Sequence, residues 1–131
     1  MLISVAGICL HDGCILLGKR ASGGSLSDRW EFPGGKVDGG ETPQQALQRE
    51  FVEELAVPVA VGDRIAVGCF EHKGGVRRLE AFRVYGPENS ELHLNEHVRI
   101  EWVPCCEIHT YNLADSDRSI LDQILTALGC C

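Results

Sequence analysis

The segment that most constrains this chain runs from residue 34 to residue 57 and joins a glycine-rich start to one amphipathic helix. Thr42 is a preferred N-cap, Pro43 suits the first helical position, and Gln45 completes a capping box with Thr42. No residue breaks the helix between Pro43 and about Leu55, and three apolar side chains recur every four positions: Leu47, Phe51 and Leu55. The pattern predicts a helix whose apolar stripe packs against a core.

Three carboxylates lie on the face beside that stripe, because Glu50, Glu53 and Glu54 are spaced by three and four positions. Like charges at these spacings destabilise an isolated helix by roughly 0.2–0.5 kcal/mol per pair. A divalent cation bound among the carboxylates would offset the repulsion, and hard oxygen ligands of this kind suit Mg²⁺ or Mn²⁺. On the helix alone, a solvated acidic face is an equally good interpretation.

The string as a whole resembles the Nudix box, whose pattern is G-x5-E-x7-R-E-U-x-E-E-x-G-U with U a bulky apolar residue. The matching residues stand in register: Gly35, Glu41, Arg49, Glu50, Phe51, Glu53, Glu54 and Val57. Ala56 is the one departure, since it stands where the box has its second glycine, at the end of the helix. This departure removes no carboxylate and affects only the geometry of the helix end. The chain is therefore similar to Nudix hydrolases.

The resemblance implies a Mg²⁺ site, with Mn²⁺ as a substitute, on the carboxylate face of the helix. Glu53 and Glu54 are the expected metal ligands, Glu50 is a ligand or the general base, and the carbonyl of Gly34 is a further ligand. The ion would polarise phosphoryl oxygens and lower the pKa of its bound water. We therefore expect these residues to form the catalytic centre.

Three further residues are expected to support this centre. Arg49 precedes Glu53 by four positions and can brace its carboxylate within the helix, and the resemblance places Glu41 behind the metal ligands or on an additional metal. Glu96 lies just before a predicted strand, where MutT-like members of the family carry a glutamate that approaches the metal. The alternative for Glu96 is a solvated loop carboxylate.

Substrate contacts are predicted at three positions, each with an ordinary structural alternative. Arg20 matches a place where an arginine of MutT-like members contacts substrate phosphate, and Lys36, in a segment similar to theirs, could reach a phosphate; both could instead be solvated charges. Asp115 matches the residue that hydrogen-bonds the base, but either Asp115 or Ser116 could instead be the N-cap of the last helix. An ionised aspartate only accepts hydrogen bonds, so it would suit a base edge that offers donors.

These assignments predict a nucleoside triphosphate pyrophosphohydrolase that releases the monophosphate and pyrophosphate. The expected substrates are oxidised or modified nucleotides, either 8-oxo-dGTP or modified dCTP or CTP. One alternative is hydrolysis of another nucleoside diphosphate derivative, such as ADP-ribose or a dinucleoside polyphosphate. A second alternative is a nucleotide-sensing Nudix module without catalysis, although such modules usually lose acids of the box.

Composition is consistent with one compact domain over residues 1–131, of which 44% are apolar. The net charge of −7 disfavours binding to nucleic acid polymers or anionic membranes, and no stretch approaches the roughly 18 apolar residues of a membrane span. Seven cysteines lack the C-x-x-C spacing of zinc sites, so we expect reduced thiols in a cytoplasmic protein. The chain is expected to be a monomer or a homodimer.

Hydrophobic patterning predicts an α+β fold. Strands are expected at Leu2–Leu10, Cys14–Arg20, Ile65–His72, Val76–Tyr85 and Val98–Val103, and a last helix from about Ser116 to Leu128 that stops at Gly129. Turns are expected at His11–Gly13, Gly62–Asp63 and Lys73–Gly75. The resemblance adds the arrangement: a Nudix α/β/α sandwich with a mixed sheet, a catalytic loop-helix-loop and a C-terminal helix.

Overall fold

A computed structural model describes residues 2–20, 28–86, 92 and 97–130, with Arg20, His97 and Val98 described by their backbone alone. Eight strands are assigned there: β1 (Leu2–Ile8), β2 (Leu10–His11), β3 (Cys14–Arg20), β4 (Trp30–Glu31), β5 (Gly34–Lys36), β6 (Ala60–His72), β7 (Gly75–Tyr85) and β8 (His97–Pro104). The helices are α1 (Pro43–Leu55), a 3₁₀ helix (Cys105–Thr110) and α2 (Asp115–Leu128).

The strands form two sheets. The first has the order β5-β1-β7-β6, and it is mixed because β1 and β7 run parallel while the other pairs are antiparallel. In the second sheet β3 pairs with β8 along its length and with the short strands β2 and β4. The first sheet carries β5 at one edge, which places the glycine-rich segment beside β1.

The two helices cover opposite faces of the first sheet. The apolar stripe of α1 is fully buried with Val5 and Phe82, whereas α2 buries Ile120 and Ile124 with Ile8 on the other face. Alternate residues of a strand point to opposite faces, so β1 contributes to both cores. The amide side chain of Gln123 also ties α2 to the edge strand β6, because it bonds both the N–H and the carbonyl of Val67. This α/β/α arrangement confirms the predicted fold class.

Helix α1 matches its predicted bounds and caps. The Thr42 side chain accepts from the amide of Gln45 at 3.1 Å, and the Gln45 side chain accepts from the amide of Thr42 at 2.9 Å. The helix ends at Ala56, which adopts the left-handed conformation with φ 56° and ψ 36°. The conformation that the box glycine would take with little strain is therefore taken here by an alanine.

Other predicted boundaries need correction. The first strand ends at Ile8, and after Cys9 the chain passes into the second sheet, so only the two-residue β2 pairs with β3. The turn between them is as expected, with positive φ at Asp12 and Gly13. Residues 62–63 do not turn the chain: they lie inside β6, where the pairing register with β7 shifts. A bulge accommodates them without ending the strand.

The expectation of reduced thiols is wrong for three of the cysteines, Cys105, Cys106 and Cys130. Cys105 and Cys130 form a disulfide with their Cα atoms 6.2 Å apart, and Cys106 is also disulfide-bonded. The bond forms because α2 runs back to the 3₁₀ helix and packs the Cys130 side chain against the core. Cys14 and Cys69 remain thiols.

Among the helices of the described residues, none combines the length and the hydropathy that a membrane span requires.

Candidate active site

Arg49 is the hub of the carboxylate cluster on α1. Its guanidinium donates to Glu41 through Nε at 2.8 Å and Nη2 at 3.0 Å, and Nη1 donates to Glu50 at 3.0 Å and Glu53 at 3.2 Å. Nη2 also reaches the carbonyl of Lys36 at 3.0 Å. The predicted contact between Arg49 and Glu53 is thus present, as one of several that hold the guanidinium in place.

These contacts favour the charged forms of both partners. The hydrogen bond from Arg49 and a second one from the amide of Asp38 lower the pKa of Glu41 below its usual value. The hydrogen bond to Glu41, followed by the contact with Glu50, raises the pKa of Arg49 further above its usual range. Glu41 and Arg49 are therefore held as an ion pair at neutral pH.

Glu54 occupies a different environment from Glu53, although the two are adjacent. The side chain of Glu53 is half-exposed, whereas Glu54 is 1% exposed and accepts from the amide of Gly34 at 3.3 Å. Glu50 lies against β5, because a Cβ on Gly35 would stand only 2.4 Å from its carboxylate carbon. The glycine is needed at this position for the close approach of the helix carboxylate.

The glycine-rich start of the Nudix-box segment forms the short strand β5. Residues 34–36 pair antiparallel with residues 4–6 of β1, so β5 is the edge to which Glu50 and Glu54 reach. A Cβ on Gly34 would lie 2.0 Å from the carbonyl oxygen of Val5, so this glycine also permits a tight approach between backbones. Sheet pairing fixes β5 in place beneath the carboxylate face of α1.

The donor set on this face fits a hard divalent cation in chemistry. It consists of carboxylate and carbonyl oxygens, and the oxygens of Glu50 and Glu53 both lie within hydrogen-bond reach of a single Arg49 nitrogen. No group of three His, Cys, Asp or Glu among the described residues is gathered closely enough to hold an ion in this conformation. An ion would therefore compete with Arg49 for Glu50 and Glu53.

A pocket of about 310 Å³ lies on the α2 side of the same edge. Its walls come from β5, from the end of the β6–β7 hairpin and from the start of α2, and include Gly35, Lys36, Phe32, Phe70, Arg77 and Asp117. Two of these charged residues are buried: Arg77 is 8% exposed and Asp117 is 6% exposed. Asp117 accepts from the amide of Phe32 at 2.9 Å, and Arg77 contacts the Ser4 hydroxyl at 3.4 Å.

The structure places the residues predicted to contact substrate in different surroundings. Lys36 lines the pocket and is exposed, which suits a phosphate contact. Asp115 lies at the pocket rim with a 94% exposed side chain and pairs with Arg29 at 2.7 Å. The side chain of Arg20 and the whole of Glu96 lie outside the described residues, so the assignments made for them stay predictions.

Neither Asp115 nor Ser116 is the N-cap of α2, so that alternative is wrong. The N-cap is Ala114, which makes no side-chain capping bond. The Ala114 amide donates to the carbonyl of Trp30 at 2.9 Å, and the Trp30 amide donates to the carbonyl of Asn112 at 2.8 Å. These two contacts hold Ala114 in extended geometry, so the helix begins one residue earlier than its polar residues suggest.

Asp117 and Arg77 were not predicted as pocket residues, although the sequence carried a signal for each. Position 117 lies three residues before Ile120 and seven before Ile124, so it falls on the buried stripe of α2. Arg77 lies on the same face of β7 as Leu79 and Ala81, which is the face that packs against α2. A charged residue on a core-facing position is unusual and points to a site.

Comparison with known proteins supports the family resemblance and the fold. The NUDIX domain model matches residues 1–124. A Mycobacterium tuberculosis protein provisionally named 8-oxo-dGTP diphosphatase 2 is 36% identical over 130 residues, which cover 97% of this chain and 90% of that protein. The CTP pyrophosphohydrolase of Escherichia coli is 36% identical over 126 residues, which cover 95% of this chain and 92% of that protein.

A solved structure agrees with these relatives. The solution structure of the E. coli ORF135 protein matches with a TM-score of 0.84 and 34% identity, covering 96% of this chain and 89% of that one. The fold and the carboxylate face define a hydrolase of the Nudix type, a class that generally uses a divalent metal ion. The chain belongs to the NUDIX family, and within it resembles the MutT-like members.

Proposed function

We propose that this chain is a Mg²⁺-dependent nucleoside triphosphate pyrophosphohydrolase, which converts a (d)NTP and water to the (d)NMP and pyrophosphate. The observation that carries the proposal is the position of β5 between two features. Residues Gly34 to Lys36 line the pocket, and the same residues contact Glu54 and Arg49 on the carboxylate face. A base held in the pocket would thus direct its phosphates toward those carboxylates.

The metal would be held by Glu50, Glu53 and Glu54 with the carbonyl of Gly34, and Glu96 would approach from the loop before β8. When bound, Mg²⁺ neutralises charge on the phosphates and lowers the pKa of a coordinated water. Mn²⁺ is the expected substitute, because it accepts the same oxygen ligands.

The supporting residues have separate tasks in the proposal. Arg49 holds Glu50 and Glu53 on one nitrogen, and Glu41 holds the opposite side of the same guanidinium. Glu50 is also a candidate general base, since its carboxylate lies against Gly35 of β5, a residue that lines the pocket. Lys36 at the pocket edge and Arg20 at the end of β3 would contact the phosphates.

Base selection is proposed to depend on a carboxylate at the start of α2. Asp115 is the residue expected from the resemblance, but the geometry favours Asp117, because Asp117 is buried in the pocket wall while Asp115 is exposed at the rim. An ionised carboxylate accepts hydrogen bonds and the Arg77 guanidinium only donates them. A base edge with both an amine donor and carbonyl acceptors would be complementary to these two side chains of the pocket wall.

Cytosine and oxidised guanine both offer such an edge, so we propose modified dCTP or CTP and 8-oxo-dGTP as substrates. The relatives named as a CTP pyrophosphohydrolase and, provisionally, as an 8-oxo-dGTP diphosphatase support this choice. The enzyme would act on small nucleotides in the cytoplasm and not on nucleic acid polymers, which its net charge of −7 would repel. It would be a monomer or a homodimer.

A nucleotide panel with Mg²⁺ tests the proposal directly. Substrates would include dCTP, 5-methyl-dCTP, dGTP, 8-oxo-dGTP, ADP-ribose and a dinucleoside tetraphosphate, with pyrophosphate and orthophosphate measured separately. We expect pyrophosphate release from one of the modified triphosphates and no turnover in excess EDTA. Full activity in EDTA, or hydrolysis of ADP-ribose alone, would reject the proposed reaction.

The same panel separates the two candidate base-binding residues. Asp117→Asn should change the ranking of nucleotides more than Asp115→Asn, since an unpaired group in a buried site costs roughly 1–3 kcal/mol. Asp122→Asn, on an exposed position of α2, is the matched control. If the ranking of nucleotides changes only with Asp115→Asn, then Asp115 and not Asp117 recognises the base.

A further inference from the structure

Three successive residues link the pocket to the carboxylate face, and each is anchored by a different element. The amide of Phe32 donates to Asp117 of α2 at 2.9 Å, and the carbonyl of Pro33 accepts from the amide of Gly7 in β1 at 2.7 Å. The amide of Gly34 donates to Glu54 of α1 at 3.3 Å. Both carboxylates in this chain of contacts are buried.

This segment has little freedom to absorb a displacement. Phe32 is buried at 3% exposure in the core under α2, and the ring of Pro33 fixes its own φ. Gly34 lies so close to the carbonyl of Val5 that even a Cβ would not fit. A shift of the Phe32 amide would therefore also displace Gly34, two residues later, and with it the Gly34 amide that donates to Glu54.

We infer that Asp117 is a positioning residue for the metal-binding face as well as a wall of the pocket. By accepting from the amide of Phe32, Asp117 fixes the segment that presents Gly34 to Glu54. The inference rests on the proposed function, because it assumes that Glu54 and the carbonyl of Gly34 are metal ligands. It adds that occupation of the pocket and binding of the ion are coupled through residues 32–34.

The hydrogen bond and the charge of Asp117 can be separated by two substitutions. Asp117→Asn retains an oxygen that can accept from the Phe32 amide, whereas Asp117→Ala removes the acceptor. Loss of a partner that orients metal ligands typically weakens metal binding by about 10- to 100-fold. Asp122→Ala on the exposed face of α2 is the control for removing an aspartate from this helix.

Binding of Mn²⁺ to the nucleotide-free protein, measured by electron paramagnetic resonance, is the primary readout. We expect Asp117→Ala to raise the Kd for Mn²⁺ about tenfold, and Asp117→Asn and the control to stay within about twofold of the unmodified chain. In turnover, Asp117→Ala should lower kcat as well as raise KM, whereas Asp117→Asn should act mainly on the ranking of bases. Unchanged Mn²⁺ binding in Asp117→Ala would overturn the inference, as would equal weakening in Asp117→Asn.

A second measurement needs only the unmodified chain and so does not depend on whether Asp117→Ala folds. In a Mg²⁺ titration followed by amide resonances, the signals of Phe32 and Gly34 should shift together. A Gly34 signal that moves while Phe32 stays still would overturn the coupling. Absence of nucleotide hydrolysis with intact Mn²⁺ binding would instead reject the proposed function and leave the positioning role to be decided by the metal data.

Discussion

Replacing Ala56 by glycine should stabilise this protein. Ala56 ends α1 in the left-handed conformation, which costs an L-residue roughly 1–2 kcal/mol relative to the right-handed region. Glycine removes most of that strain but adds roughly 0.5–1 kcal/mol of conformational entropy to the unfolded chain. The net expectation for Ala56→Gly is an increase of about 0.5–1 kcal/mol in the free energy of unfolding.

The end of α2 offers the reciprocal experiment within the same chain. Gly129 occupies the same position after its helix with φ 70°, and a Cβ added there would meet no atom within 4 Å. Gly129→Ala therefore introduces backbone strain without a steric clash, and should lower the free energy of unfolding by about 0.5–1 kcal/mol. The two substitutions should have similar magnitude and opposite sign.

Thermal and urea unfolding of the two variants would test this reasoning. For a chain of 131 residues, 1 kcal/mol corresponds to about 3–4 °C in Tm, so shifts of about 2–4 °C are expected in opposite directions. An unchanged or lower Tm for Ala56→Gly, together with a destabilised Gly129→Ala, would refute the strain argument at Ala56. Equal m-values in urea would show that the denatured state is comparable.

Three further outcomes are expected. Glu53→Gln should lower kcat on the order of 10²-fold while leaving the fold intact by circular dichroism, because this carboxylate is half-exposed and its proposed role is in the metal site. Arg49 lowers the pKa of Glu41 in the folded state, so their ion pair stabilises the fold above about pH 4.5, and this stabilisation is lost as the pH falls. In Glu41→Gln, Tm should therefore fall less steeply with decreasing pH than it does in the unmodified chain. Removing the Cys105–Cys130 disulfide, which spans 25 residues, by Cys130→Ser should lower the free energy of unfolding by about 3–4 kcal/mol in denaturant titrations without reductant.

Each of these outcomes has a result that would contradict it. Unfolded Glu53→Gln protein would make that carboxylate structural. A Glu41→Gln variant that loses stability in acid as steeply as the unmodified chain would place the acid sensitivity elsewhere. An unfolding curve of Cys130→Ser identical to that of the unmodified chain would show that this disulfide contributes nothing to stability, and Cys69→Ser is the control substitution, since Cys69 lies outside that disulfide.

Helix α1 could be predicted to the residue because several local signals agree there. The capping box, the proline at the first helical position and the fourfold spacing of apolar residues all act within a few residues of one another. The hairpin turn at Lys73 and Gly74, where both residues take positive φ, was predicted in the same way from its local sequence. Local interactions of this kind are encoded in contiguous sequence, so the structure only had to confirm them.

Features that depend on distant partners were missed for the opposite reason. Residues 34–36 form a strand because β1 pairs with them, and nothing in two glycines and a lysine indicates that partner. Likewise α2 begins at Asp115 because Ala114 is held by the carbonyl of Trp30, which outweighs the capping preference of the aspartate itself. Propensity is a weak prior that tertiary contacts override.

The carboxylate face illustrates how a locally unfavourable sequence becomes a reasonable one in the fold. Glu50 and Glu53 repel each other on α1, yet both lie against a single nitrogen of Arg49, which Glu41 holds from the other side. The acids on this guanidinium outnumber its single positive charge, so the cluster keeps an excess of negative charge on a face that ends at the pocket. A divalent cation would supply the missing charge, and it would do so where a nucleotide in the pocket presents its phosphates. The repulsion that makes α1 a poor isolated helix is therefore the property that makes it suitable for the proposed chemistry.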